Sequence, residues 1–328
     1  MKLRRFRLSL VALVIASLAG CTSTAAHRAF NEDRDPITIE NCGAQVTFDT
    51  SPQRVVLLRS GAVPFLHALG VMDRVVARAG QYPHEYYDQT TIAELDRIPL
   101  LTEKVDSSGH LQISAETVIA QTPDLVLGMN DTLPREKLAA FGIPLLEEPA
   151  LCGVAGSVPA FDDIYEQLRV YGDVFDRREE AERAAALWEA EYDEIVGGAA
   201  GTQLTGAVLF PTVGGGVTYA YGSGSMATAQ LEAAGIDNVF SDVSERVFEV
   251  TAEELLTRDP DVLVLLHSDG EPEAVVDAIE RVPGTSQLSA VRSGRVMTLL
   301  FNFVEPATPL TIDGLRAIVD RFGGVDPW

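Results

Sequence analysis

Few side chains in this sequence are grouped for covalent chemistry. Its five histidines, His27, His67, His84, His110 and His267, lie far apart, and none belongs to a paired metal-ligand motif. There is no G-x-S-x-G elbow, no C-x-x-C, no H-E-x-x-H and no glycine-rich loop closing on Gly-Lys-Ser/Thr. Gly222-Ser223-Gly224-Ser225 comes nearest to a phosphate cradle, but it lacks the lysine and the helix-opening spacing and reads as a flexible turn. The residues that remain suit non-covalent capture. They are an aromatic loop containing Tyr82, Tyr86 and Tyr87, the later Tyr219, Tyr221 and Phe301 beside Asn302, and the polar Arg59, Asn130 and His267. Rings of this kind offer flat apolar area to a bulky ligand with a polar rim. The Arg59 guanidinium could pair with an anionic ligand or, equally, with a neighbouring acid. His84 and His267 suit hydrogen bonding better than metal ligation, so no metal site and no cofactor are expected.

The elements that must position these residues come in two similar sets. Ser114 to Leu127 reads SAETVIAQTPDLVL and Thr251 to Leu265 reads TAEELLTRDPDVLVL. Each opens on a hydroxyl residue that can cap a helix, continues Ala-Glu, and meets Pro-Asp before an apolar strand. Upstream, Leu66-His67-Ala68-Leu69-Gly70 is echoed by Leu231-Glu232-Ala233-Ala234-Gly235. Two similar α/β lobes account for matches in the same order and at similar separation. The first contains strand, helix and strand at Arg54–Leu58, Pro64–Leu69 and Arg74–Ala77, which is the grammar of a parallel sheet. The second repeats that pattern from Ala207–Phe210 onward. Between them Asp162–Val174 and Arg177–Val196 are helical, with Asp176 and Glu179 placed to cap the longer one, which then joins the lobes as a stiff helix. In doubly wound sheets ligands bind outside the carboxyl ends of strands, and that rule nominates Arg59, the Tyr82–Tyr87 loop, Met129 with Asn130, Tyr219 and Tyr221, His267, and Phe301 with Asn302.

Ahead of the lobes, Lys2, Arg4, Arg5 and Arg7, the apolar run Leu8–Leu18 and the small-residue site before Cys21 form a secretory signal too short to span a membrane comfortably. Cysteine at the cleavage point resembles the bacterial lipobox, which implies acylation of Cys21. The expected organisation is a signal at 1–20, a tether and leading strand at 21–53, a first lobe at 54–160, a helical linker at 161–200 and a second lobe at 201–328. The formal net charge of -23 makes nucleic acid and bare anionic membrane poor partners. After the signal only Cys42 and Cys152 remain; in an oxidising compartment they read as one disulfide, with two separate buried thiols as the alternative.

The lipobox, Arg54-Val55-Val56-Leu57-Leu58, Leu69-Gly70-Val71-Met72-Asp73-Arg74-Val75-Val76, the two Pro-Asp repeats and Ala290-Val291-Arg292-Ser293-Gly294-Arg295-Val296 together resemble the ferric-siderophore and cobalamin substrate-binding lipoproteins of bacterial ABC importers. The resemblance covers about residues 54 to 322. It implies an α/β fold of two Rossmann-like lobes with parallel sheets joined by one long α-helix, a monomer that is not an enzyme. Such a protein holds a ferric siderophore, or alternatively cobalamin or haem, between its lobes and delivers it to an ABC permease dimer with its ATPase. A siderophore-processing extracellular enzyme is the competing class, and no nucleophile or metal cluster supports it. By the same resemblance Glu116 and Glu253 dock the two permease subunits, with Glu254 competing in the second lobe. The protein is then extracytoplasmic and lipid-anchored to the outer face of the cell membrane. The Asn41-Cys42-Gly43 start with Cys152 is similar to actinobacterial, Gram-positive members.

Overall fold

The computed structural model describes residues 35–105, 110–130, 132–152, 158–199, 203–268 and 272–323. The signal segment, Cys21 and most of the expected tether lie outside them. Among the described residues no helix is long and apolar enough to cross a membrane.

An antiparallel hairpin, β1 (Ile37–Asn41) and β2 (Ala44–Phe48), leads into the first lobe. There β3 (Val55–Leu57), β4 (Val75–Arg78), β5 (Leu125–Leu127) and β6 (Leu145–Leu146) form an all-parallel sheet in the order β4-β3-β5-β6. Its helices are α1 (Val63–Ala68), α2 (Gln89–Leu95), α3 (Ala115–Ile119) and α4 (Arg135–Ala139). Strands this short survive because both faces are covered. Val55, Leu57, Leu125 and Leu127 pack on the α1 side with Phe65 and Leu66, whereas Val56 and Val126 pack on the other side with Val118 and Leu138. That alternation is the period-two pattern of a pleated strand.

Helices α5 (Asp162–Phe175) and α6 (Arg178–Gly198) follow. Asp176 does not cap α6 as its sequence context suggests. It ends α5 in the left-handed conformation (φ 56°), so the chain reverses at once and Arg177 becomes the N-cap without a side-chain bond. Helix α6, about 30 Å long at ~1.5 Å per residue, joins the lobes through both of them. Its Trp188 packs edge-on to Phe65 of α1 (6.0 Å), and its Glu191 pairs at 2.8 Å with Arg316 of the terminal helix.

The second lobe holds β7 (Leu204–Pro211), β8 (Thr218–Tyr221), α7 (Met226–Ala233), β9 (Ile236–Asn238), β10 (Val247–Val250), α8 (Ala252–Arg258), β11 (Val262–His267), α9 (Glu273–Glu280), α10 (Ser289–Arg292), β12 (Val296–Leu300) and α11 (Leu310–Phe322). Its sheet runs β10-β8-β7-β11-β12, with β9 beside β7. It is mixed rather than all parallel, because β8 and β10 run antiparallel to their neighbours. Gly214-Gly215-Gly216, with φ of 94°, 93° and 129°, supply the tight reversal from β7 that makes a hairpin there in place of a helical crossover. Val208, Val262, Val264 and Leu266 share one continuous core with α5, α6, α11 and the inner face of the first lobe, while Leu209, Leu263 and Leu265 pack beneath α8 and α9 in a separate one.

The Pro-Asp repeat now has a structural reason. Asp124 accepts the backbone N–H groups of Gln53 (2.8 Å) and Arg54 (2.7 Å), just ahead of β3. Asp261 accepts the N–H and hydroxyl of Thr205 in β7 (2.9 Å each). Each aspartate therefore locks the start of its lobe's first strand, and the residue before each proline, Thr122 or Asp259, turns through positive φ to bring it there.

Cys42 and Cys152 are joined, with Cα atoms 4.9 Å apart and a sequence separation of 110, tying the hairpin to the exit of the first lobe. Reduction is expected to lower stability by about 2 to 4 kcal/mol through the freed unfolded chain. Urea titration with and without dithiothreitol checks it; coincident curves would contradict the entropic role.

Candidate functional site

The carboxyl ends of the strands of the two lobes meet. After β3 the chain runs Arg59-Ser60-Gly61, and after β12 it runs Phe301-Asn302-Phe303. Asn302 donates its side-chain amide to the Ser60 hydroxyl (3.2 Å) and its backbone N–H to the Tyr86 hydroxyl (2.9 Å). Tyr86 meets Phe303 edge-on at 5.1 Å and Tyr87 at 5.9 Å. A Cβ placed on Gly61 would lie 3.2 Å from Thr308 Cγ2, 3.4 Å from Asn302 Nδ2 and 3.7 Å from Glu148 Oε1, so the two lobes touch there with no room to spare.

Of the nominated residues, some are spent on this seam or on the core. Tyr82 is buried, its hydroxyl donating to the carbonyls of Leu57 and Ala79 (3.2 Å each) under the Arg78 guanidinium. Tyr86 and Tyr221 are buried as well, and burial pushes the phenol pKa of all three upward. Tyr221 lies at the far end of β8, because antiparallel β8 carries it away from the strand ends where a parallel strand would have delivered it. His267 is also buried, beside Leu300 in the sheet. In this arrangement all four side chains are buried, in the core or at the seam.

Other nominees stay accessible around the facing strand ends. Tyr87 is part-buried, with its hydroxyl on the Ser60 carbonyl (2.9 Å). Tyr219 is exposed and pairs in register with Phe210, which stacks edge-on against part-buried Phe301 (6.3 Å). Asn130 is turned inward by Thr132, whose N–H and hydroxyl both donate to Oδ1, leaving Nδ2 buried with no partner among the described residues. Arg59 is 38 % exposed, donating from Nε to Glu147 (3.2 Å) and from Nη2 to the Met129 carbonyl (2.8 Å). Both readings of this arginine thus meet in one residue, an ion pair on one edge and open solvent on the other.

The reading from sequence missed two buried carboxylates that hold these loops. Glu147 accepts Arg59 and the Met129 N–H (2.8 Å), and its Oε1 accepts the N–H of Glu148 (2.9 Å). Glu305, fully buried, accepts the Ser225 hydroxyl, the Met226 N–H (3.0 Å) and Arg246 (3.3 Å). Each lobe therefore carries a part-exposed arginine fixed by a buried carboxylate that also accepts a backbone N–H. A third echo, Glu148-Pro149-Ala150 against Glu305-Pro306-Ala307, marks Glu305 in the sequence but falls one residue past Glu147. Burial pushes the Glu305 carboxyl upward, against the pull of Arg246 and Ser225. Gly222-Ser223-Gly224-Ser225 is not a flexible turn. A Cβ at Gly222 or Gly224 would collide with the carbonyls of Val243, Glu245 or Ser244, and Ser225 caps α7. Among the described residues no cluster of three or more metal-ligating side chains occurs.

Glu116 and Glu253 both lie exposed in the first turn of the repeated helices, α3 and α8, whose N-caps Ser114 and Thr251 share one backbone conformation. Beside each is an open hollow, about 430 Å³ at Glu116 with Lys104 and Lys137, and about 490 Å³ at Glu253 with Asp242 and Arg258. Glu254 is held by Arg258 (3.4 Å), whereas Glu253 forms no ion pair among the described residues.

Two α/β lobes that meet at their strand ends around one spanning helix define a binding protein of the clamshell kind. The chain belongs to the periplasmic binding protein family, whose model matches residues 55–302. It is similar to the crystal structure of an ABC-type Fe3+-hydroxamate transport system from Saccharomonospora viridis, at 52% identity and a TM-score of 0.85 over 89% of this chain and 100% of that one. An ABC transporter substrate-binding lipoprotein of Bacillus subtilis is 22% identical over 94% of each chain. The periplasmic vitamin B12-binding protein of Vibrio cholerae shares the fold, with a TM-score of 0.61 at 18% identity over 82% of this chain and 96% of that one. This chain is thus the solute-binding component of an ABC transporter, whose partners are a permease and its ATPase.

Proposed function

We propose that the protein captures a ferric siderophore between its lobes and delivers it, unaltered, to the permease. The observation that carries this reading is the accessible set at the facing strand ends, Arg59, Tyr87, Tyr219, Phe301 and Asn302, which offers ring faces with one cation at the rim. The 52% identical relative described as an Fe3+-hydroxamate transport system supports iron chelate over other cargo. Cobalamin and haem are the alternatives within the same transporter type. Lipid anchorage through Cys21 on the outer face of a Gram-positive, actinobacterial membrane, a monomeric state, and docking through Glu116 and Glu253 belong to the same proposal.

Titration of intrinsic fluorescence with an anionic ferric hydroxamate chelate, cyanocobalamin and haemin tests it. Tight binding of the ferric chelate is expected, with no ester hydrolysis at stoichiometric protein; preference for the corrinoid or haem would overturn the siderophore assignment. Arg59→Ala should weaken the ferric chelate by about 1.5 to 3 kcal/mol, the range of a charge-assisted hydrogen bond. Unchanged affinity with a lower melting temperature would leave Arg59 as the partner of Glu147 alone.

A further inference from the structure

The first lobe has one carboxylate too many. In the second lobe a single acid, Glu305, meets a single arginine, Arg246. In the first, Glu147 already satisfies Arg59, and Glu148 is left over, 2 % exposed, with neither carboxyl oxygen hydrogen-bonded among the described residues. Its carboxyl lies where the lobes touch, against Gly61 of the first lobe and close to Asn302 and Thr308 of the second, and the buried Thr308 hydroxyl likewise has no partner among the described residues. An ionised carboxylate here would be a buried charge with no compensating bond, which proteins avoid by keeping the proton or by admitting water.

We propose that the seam between the lobes is a proton-operated latch in which the Glu148 carboxyl keeps its proton while the lobes are closed, and loss of that proton to solvent opens the seam.

The groups that face Glu148 agree. Burial pushes its pKa well up, the adjoining Glu147 carboxylate pushes it further, and Arg59 and the backbone of Glu148 itself oppose. Tyr82, from the loop after β4, and Tyr171, from α5, feel the charge of Glu148, but both are neutral phenols raised by burial and provide no cation. Arg135 lies within the field of Glu147 and donates to the Leu145 carbonyl and to Asn41, so it is engaged beyond the pair. From the second lobe the neighbours at the contact are the uncharged Asn302 and Thr308. A carboxyl whose pKa is raised in the closed form stabilises closure below its ordinary pKa, and the contribution is lost as pH rises through the raised value. Cargo retention then becomes pH-dependent, a consequence that rests on the proposed ligand site, whereas the latch itself does not.

Hydrogen exchange on ligand-free protein decides the matter. Protection factors, corrected for intrinsic rates, are compared at pH 5 and pH 8.5 for Ser60–Ala62 and Asn302–Thr308 against the strands β7 and β11. A carboxyl that must ionise on opening couples opening to pH by up to about tenfold per step of one in pH across its titration. Seam protection should therefore fall about tenfold or more in the wild type while β7 and β11 hold. In Glu148→Gln, which mimics the protonated acid, seam protection should be high at both pH values. Equal pH dependence in wild type and variant would overturn the latch. So would a seam in the wild type that is indifferent to pH, and this arm stands even if the variant does not fold. Failure of ferric chelate to bind would bear on the proposed function alone.

Discussion

Uptake of ferric chelate is expected to be abolished when Glu116→Arg and Glu253→Arg are combined, while chelate affinity stays near wild type and the melting temperature moves by no more than a few degrees. Both side chains are exposed, each in the first turn of a short helix held by its own cap. Reversal there loses a favourable interaction with the helix dipole but touches neither the core nor the facing strand ends. The carboxylate of Glu116 is held below the usual range by its own backbone N–H and by Ser114, with a smaller pull from Lys137, so it is ionised at any working pH. Docking through two acids at equivalent places on two lobes suits a partner with two-fold or pseudo-two-fold symmetry. Turning both attractive contacts repulsive costs far more than losing one, so each single reversal should leave partial transport. Glu179→Arg is the control, since that residue is 91 % exposed on α6 and lies away from both hollows. Uptake that survives the double reversal, or that falls equally with Glu179→Arg, would sink the docking assignment.

The architecture was legible because its signals are local and repeated. Periodic apolar strands bounded by Pro-Asp and capped helices mark both lobes, and β12 forms over the residues its pattern indicates, Val296–Leu300. What the pattern could not carry was direction and depth. Nothing in the alternation of Thr218–Tyr221 says that β8 runs antiparallel, and that one reversal moves Tyr221 from the strand ends into the core. Aromatic residues in a polar loop look accessible in sequence, yet Tyr82 and Tyr86 are drawn inward because their hydroxyls find a backbone partner across the fold. The buried acids were invisible for a related reason. Their partners, 88 residues away for Glu147 and 59 for Glu305, are brought together only by the tertiary structure.

Glu305→Ala is expected to destabilise the protein by about 3 to 5 kcal/mol, the penalty for breaking a buried pair from one side. Three groups lose their acceptor at once: the Ser225 hydroxyl, the Met226 N–H at the start of α7, and the Arg246 guanidinium. Arg246 is 33 % exposed and can recover part of its solvation, which places the expected value toward the lower end. Glu305→Gln keeps an acceptor for Ser225 and Met226 but removes the charge opposite part-exposed Arg246, so about 1.5 kcal/mol is expected, the lower end of the range for one charge-assisted bond. A double-mutant cycle with Arg246→Met isolates the ion pair, because both variants then lack it and only the helix-cap bonds differ. Urea unfolding at pH 7 reads all four corners. If Glu305→Ala costs less than about 1 kcal/mol, water must already reach the carboxylate, and the buried pair is not what holds the Gly222–Ser225 turn against the seam.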